Sequence, residues 1–391
     1  MKYPLACNTW DEREIEAIHK VIESGRYTMG PKVEEFENKF AEKMGVKHAV
    51  MTNSGSSANL LMMAALNYDW TLPTHAEVIV PAVSWSTTYF PIHQMGMKMV
   101  LVDVNDKTYN IDPYSIVAAI TEQTRAILAV NLLGNPCDMD TLTTICAEND
   151  ILLLEDNCES LGATYRGQQA GTFGTMGTYS FFFSHHLQTM EGGMVVTDDY
   201  YDADVLRSLR AHGWSRDLKT DFLWGHNDKA KDRSDFKDSF TFLTPGYGVR
   251  PLEMSGAVGC VQLEKMDDMI HQRKENAAYF KQRMKEFKFF VSTQEEWVGE
   301  SSWFGFGMIV DKDRDKFANY LTRNGIEVRP IVAGNFVNQP VITDLRYSVS
   351  GELTTAEIID KRGLFVGNDS KDISNNIDYL MDTISNYRFD L

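Results

Sequence analysis

Apolar residues recur at roughly helical spacing from Asp11 to Ser24, at Ile15, Ile18, Val21 and Ile22, and the run stops at Gly25, a plausible C-cap. Met29-Gly30-Pro31 then turns into a second predicted helix carrying Phe36, Phe40 and Met44. From His48 onward short apolar runs alternate with helical stretches. Val78–Val80, stopped by Pro81, predicts a strand, as do Lys98–Val102, Ala126–Val130, Ile151–Leu154, Thr178–Phe182 and Met194–Thr197. Helix-like stretches at Pro113–Ile120, Met139–Glu148 and Tyr201–Ala211 lie between them. Strand–helix alternation of this kind predicts an α/β sheet with helices on both faces. Residues 215–240 are charged and lack apolar periodicity, so a long surface excursion is expected there. After Arg250-Pro251 a long helical pattern runs towards Phe287, and the rest mixes a strand-like run, Trp303–Val310, with helices. The expected division is a large domain over 1–250 and a smaller C-terminal α/β domain over 251–391.

With 391 residues, 43% of them hydrophobic and 24% charged, the chain has the composition of an ordinary soluble globular protein. A formal charge of −17 argues against a nucleic-acid partner, which would want a basic face. No apolar run approaches transmembrane length, and MKYPLACNTW lacks the apolar region of a signal peptide. A cytoplasmic protein with no membrane partner is expected. Cys7, Cys137, Cys146, Cys158 and Cys260 have neither framework spacing nor a C-x-x-C pair; reduced, structural thiols and no metal site are the expectation.

Three places carry candidate chemistry. Thr52-Asn53-Ser54-Gly55-Ser56-Ser57-Ala58-Asn59 joins a strand-like run to an apolar helix, and small residues there free backbone N–H groups for an anion. A simple capped helix is the plainer alternative. The buried run Ile151–Leu154 ends in Glu155-Asp156-Asn157-Cys158-Glu159; Asp156 is either a helix cap or a partner for a protonated ring nitrogen. Trp85, just after the strand Val78–Val80, is either a stacking platform or a core or interface tryptophan.

A fourth stretch, Ser180 to Gly193, reads SFFFSHHLQTMEGG and looks like the cofactor-attachment segment SFxxxKxxxxGEGG of sugar aminotransferases that use pyridoxal phosphate (PLP). Together with PLAxxTW, VPAVSWSTTY, NLLGNP, LLEDNCES, GTFGxMGT, RAHGW, LxPGYxVRPLEMSGA and SSWFGF, it makes nearly the whole chain resemble the DegT/DnrJ/EryC1/StrS family. That resemblance implies fold type I: a large domain with a mixed, mostly parallel sheet plus the smaller C-terminal domain. It implies that Gly55, Ser56 and Ser180 bind the PLP phosphate, that Trp85 stacks on the ring, that Asp156 pairs with the ring nitrogen, and that Glu159 stands where a Gln usually contacts the ring hydroxyl. The alignment puts His185 on the position of the Schiff-base lysine, and no lysine lies between Lys107 and Lys219 to replace it. Imidazole can move protons but cannot form a stable imine, so an untethered cofactor, PLP or pyridoxamine phosphate (PMP), with a histidine base is implied. His186 is either a site residue or a structural neighbour.

Histidine there is the mark of a sugar 3-dehydratase within the family. The implied reaction is glutamate-dependent removal of the C3 hydroxyl from a nucleotide-linked 4-keto-6-deoxyhexose, with GDP taken from the resemblance. Arg250 is carried over as a cofactor contact, and His212, Arg216 and Arg329 are candidate contacts to the substrate diphosphate. The family implies a homodimer with shared sites, but where its members read G-Y-N-x-R this chain has Gly246-Tyr247-Gly248-Val249-Arg250, losing the Asn. The rivals are a sugar aminotransferase, an iron–sulfur-dependent 3-dehydratase, which would need clustered cysteines, and a non-catalytic PLP-binding protein.

Overall fold

Asp11 opens the first helix, Glu12–Ser24, with a reciprocal cap: its carboxylate accepts the Arg13 N–H while Glu14 accepts the Asp11 N–H. Gly25 closes it at φ 69°. The second helix, Pro31–Met44, starts on a proline that needs no N–H partner and packs Phe36 and Phe40 against Tyr179 and Phe181. The computed structural model describes residues 2–69, 75–225, 233–287, 291–296 and 298–387.

Apart from a short hairpin, Thr164–Tyr165 with Gln168–Gln169, seven strands follow in the first half: β1 His48–Thr52, β2 Glu77–Pro81, β3 Lys98–Val102, β4 Thr124–Val130, β5 Leu152–Asp156, β6 Met176–Ser180 and β7 Gly193–Thr197. The second half adds β8 Val291–Thr293, β9 Gly305–Val310, β10 Val328–Arg329, β11 Tyr347–Val349 and β12 Gly363–Gly367. The large sheet has the order β1-β7-β6-β5-β4-β2-β3-β11; only β7 runs against its neighbours. Its central strands are apolar on both faces because helices cover both, hence runs such as Ala126–Val130. This is the mixed, mostly parallel sheet of fold type I.

The smaller sheet, β8-β9-β12-β10, is antiparallel throughout. Phe306, Met308, Leu364 and Val366 bury its face against Phe280, Phe317, Leu321, Ile377 and Leu380, and Phe280 stacks on Phe306 at 4.2 Å. A second core therefore forms around residues 277–384, with Tyr3 inserted from the N-terminus.

Two expectations need correction. The strand expected at Thr178–Phe182 lies two residues earlier, because after Ser180 the backbone leaves the ladder and folds back on itself: Phe181 donates to Gly192 O and accepts from Thr189 N–H. The helix expected to run on towards Phe287 is two, Glu253–Glu264 and Met266–Met284. They meet at Lys265, whose ammonium bridges Asp11 (2.8 Å) and Glu14 (2.6 Å). The C-terminal segment also returns to the large sheet, where β11 adds a parallel edge strand beside β3. The excursion at 215–240 carries two short helices, Phe222–Gly225 and Asp235–Asp238; its residues 226–232 lie outside the described residues. Among the described residues no helix is long and apolar enough to cross a membrane.

Candidate active site

The parallel strands β2, β4, β5 and β6, together with β1, all end on one side of the sheet, and the loops leaving them wall a cleft of about 740 Å³. Leu5, Phe304, Arg329, Pro330, Val332 and Phe365 close it from the side of the smaller sheet. Of the residues expected to bind cofactor or substrate, Gly55, Ser56, Trp85, Asp156, Glu159, Ser180, His185 and Arg329 all line this cleft.

At its anionic-ligand end, the helix Gly55–Asp69 points its N-terminus inward. Ser54 Oγ accepts the Ser57 N–H, whereas the N–H groups of Gly55 and Ser56 find no acceptor among the described residues. Gly55 is needed for close approach: a Cβ there would stand 2.5 Å from Ser180 Cβ. Deeper in, the Asp156 carboxylate accepts from Asn59 Nδ2 (2.8 Å), Thr88 Oγ1 (2.8 Å) and the Cys158 N–H (3.2 Å). These three neutral donors fix the carboxylate without neutralising it. Trp85 precedes the helix Ser86–Gln94 and is 56% exposed at the mouth, leaving its indole face free. A phosphate-sized anion, a flat ring and a protonated ring nitrogen thus have matching partners, so the residues present fit PLP.

His185 Nδ1 lies 2.8 Å from the Cys158 carbonyl oxygen. A carbonyl only accepts, so Nδ1 carries the proton and Nε2 keeps the lone pair. Phe304 packs against the ring at 5.1 Å between centroids and Phe182 at 6.2 Å. Burial lowers the pKa of His185 to about 4, against the pull of the Cys158 carbonyl and Asp156, although one edge of the ring stays open to the cleft. At neutral pH it is a free base. Burial pushes the Glu159 carboxyl up to about 7, and its Oε2 accepts the Leu133 N–H at 3.0 Å.

His186 is 1% exposed and points away, donating Nε2–H to the Ser302 carbonyl. The structure makes it a neighbour rather than a cleft residue. Three other expected residues are also absent from the cleft of their own chain. Val249 O accepts the Asn53 N–H, which sets Arg250 beside the phosphate loop but leaves it off the cleft wall. His212, at φ 66°, lays its ring over Gly248, where a Cβ would meet Cε1 at 3.0 Å. Arg216 stacks on Trp214 at 3.9 Å and lines a separate groove with Arg26, Arg207, Arg210 and Lys219. Asn59, Thr88, Glu191 and Phe304 line the cleft and were not singled out as site residues, although all four sit inside segments already noted. Among the described residues no three His, Cys, Asp or Glu side chains gather as a metal site.

The sequence profile of the DegT/DnrJ/EryC1/StrS aminotransferase family matches residues 8–385. The chain belongs to that family. Among its curated relatives, a GDP-4-keto-6-deoxy-D-mannose 3-dehydratase of Yersinia pseudotuberculosis is 50% identical over 98% of both chains. A solved GDP-4-keto-6-deoxymannose-3-dehydratase, a histidine-to-asparagine variant with bound GDP-perosamine, superposes with a TM-score of 0.92 at 48% identity, over 98% of this chain and 100% of that one. Another structure of such a dehydratase, with a trapped PLP–glutamate geminal diamine, matches with a TM-score of 0.92 at 48% identity, over 97% and 99%.

Proposed function

We propose that the protein is a PLP- and glutamate-dependent sugar 3-dehydratase that converts GDP-4-keto-6-deoxy-D-mannose to the 4-keto-3,6-dideoxy sugar of the colitose branch. The observation that carries the reading is the imidazole at the cleft floor, where the family otherwise uses lysine: its Nε2 is free and its Nδ1 is locked to Cys158 O. The similarity to dehydratases of this name, solved with a GDP-sugar and with a glutamate adduct, supports the substrate pair.

Bound as PLP or PMP, the cofactor supplies an electron sink and a transferable amine. The chain's residues do the rest. Gly55, Ser56 and Ser180 would hold the phosphate, Asp156 would keep the ring nitrogen protonated, Trp85 would cover the ring, and Glu159 would serve the ring hydroxyl. His185 Nε2 would take a proton from the glutamate α-carbon in the first half and pass it to the cofactor's reactive carbon, and would take one back from that carbon in the second. It then gives that proton to the departing C3 oxygen. Glutamate leaves as 2-oxoglutarate, and its two electrons balance the oxygen lost from the sugar; ammonia is the other product. A lysine at 185 would compete for the cofactor carbon, whereas histidine leaves the amine available for dehydration.

The division into 1–250 and 251–391 is part of the same proposal, supported by the second core and the antiparallel sheet. A cytoplasmic homodimer with shared sites is proposed as well. Phe236, Phe240 and Phe242 are exposed beside Trp214 and Arg216, an apolar face suited to a second copy. Arg250, His212 and Arg216 stand outside their own cleft, as residues serving a partner's site would. The deciding experiment incubates the protein with PLP, glutamate and GDP-, CDP- and dTDP-4-keto-6-deoxyhexoses and examines the products by mass spectrometry. The expected product is the GDP keto sugar minus one oxygen, with ammonia. A product retaining nitrogen and the C3 oxygen would make the protein an aminotransferase.

A further inference from the structure

The segment Ser302-Trp303-Phe304 is held at every polar backbone group. Ser302 N–H donates to Gly134 O (2.9 Å), Trp303 N–H to Ser301 Oγ (3.0 Å) and Phe304 N–H to Leu133 O (3.1 Å). The Ser302 carbonyl accepts from His186, the Trp303 carbonyl from Asn368 (2.9 Å) and Arg273 (3.2 Å), and the Phe304 carbonyl from Arg273 (3.3 Å). Trp303 sits at φ 51°, a left-handed conformation that a large side chain adopts only when its surroundings over-determine it. The product of all this constraint is the position of one ring: Phe304 packs against His185 at 5.1 Å and against His186 at 5.8 Å.

Arg273, on the helix Met266–Met284, is the unusual member. It is 2% exposed, makes no ion pair among the described residues, and its Nε has no hydrogen-bond partner. A guanidinium stays charged when buried, and Cys7 and Asp369 offset this one only from a distance. Two neutral histidines lie in its field.

We propose that Arg273 is a positioning residue for His185: from outside the cleft it fixes Phe304 against the imidazole and keeps an unpaired positive charge behind it, so that His185 enters each half-reaction as the free base. The other titratable groups on the cleft wall with His185 are Asp156 at the end of β5, Cys158 and Glu159 just after it, Glu191 from its own loop, and Arg329 from β10, while His186 turns away to Ser302. Asp156 opposes Arg273 by favouring the imidazolium.

The inference rests on His185 being the base of the proposed reaction, but its test is read in the resting protein. The His185 imidazole is titrated by NMR in the full-length protein, without cofactor and with PLP, its signal assigned by its loss in His185→Asn. Arg273→Met and Arg273→Gln are expected to raise the midpoint measurably, through the lost charge and the loosened Phe304 together. Arg273→Lys, which keeps the charge, should stay near the parent. Phe304→Leu, which admits water and leaves Arg273 in place, should raise it too. The acid limb of the glutamate half-reaction should move by the same amount in each. An unchanged midpoint in the folded charge-removing variants, or an equal rise in Arg273→Lys, overturns the proposal; if neither Met nor Gln folds, an unchanged midpoint in Phe304→Leu does so. Failure of the dehydration assay alone would leave the titration result standing.

Discussion

His185 differs at its two nitrogens, one held by a carbonyl and one open, and that asymmetry sets what each substitution does. His185→Asn keeps approximate size and polarity, so PLP affinity should stay within about threefold while glutamate half-transamination and dehydration are both lost, by about 10³-fold or more. Spectrophotometric single turnovers check this. His185→Lys should trap PLP in a borohydride-reducible bond, found by peptide mapping, that the parent protein lacks. His186→Asn should lower the melting temperature more than it slows the chemistry, since that ring holds Ser302 rather than facing the cleft. Full activity in His185→Asn would mean that the wrong histidine has been chosen. Glu159 allows a pH test. Its carboxyl is raised from 4.5 to about 7, so its contribution to stability is present below the unfolded value and is lost as pH rises through the folded one. Glu159→Gln should therefore raise the melting temperature of the cofactor-free protein at pH 8 and change it little at pH 5, measured by scanning fluorimetry.

Between elements, the site depends on a crossing of two backbones that leaves no room for a side chain. Gly134 sits at φ 93°, and a Cβ there would stand 2.4 Å from the Trp303 nitrogen. Gly134→Ala should cost at least about 2 kcal/mol in denaturant unfolding and also slow the glutamate half-reaction, because Phe304 moves with Trp303. Nothing in the pattern NLLGNP announces that contact, although the segment itself stood out; the partner is some 170 residues away in the chain. Local periodicity made β2, β3, β4, β7 and the first two helices legible, because each buries one face or both. It could not show that the chain would leave the ladder at Ser180, since Phe181 stays fully buried and continues the apolar run. Nor could it show β11, a three-residue edge strand whose side chains remain half-buried or exposed. Met190 is a related case. It stands at φ 70° where the family pattern has glycine, so the turn before Glu191 is strained in a way visible only once the dihedral is known.

At the scale of the whole molecule, the cleft gathers the groups read from the strand ends and excludes Arg250, His212 and Arg216. The first set was legible because fold type I places strand-end residues in one cleft of one chain. The second was not, because sequence spacing does not tell which wall of the fold, or which copy in the proposed dimer, Arg250, His212 and Arg216 would face. Loss of dimer on replacing Phe240 with Asp, followed by light scattering, would test the surface but not the sharing of sites. Mixing two inactive variants tests the sharing. In a hybrid of His185→Asn and Arg250→Ala protomers with shared sites, one site holds both defects and the other holds neither. Co-refolding or co-expression with random pairing should then restore about a quarter of parent activity, with each variant alone inactive. If Arg250 acts only within its own chain, every site in every dimer carries one defect and the mixture stays as inactive as its components. The recovered activity, measured as single-turnover conversion of glutamate to 2-oxoglutarate by the PLP form without any sugar, separates the two architectures without any assumption about which nucleotide the substrate carries.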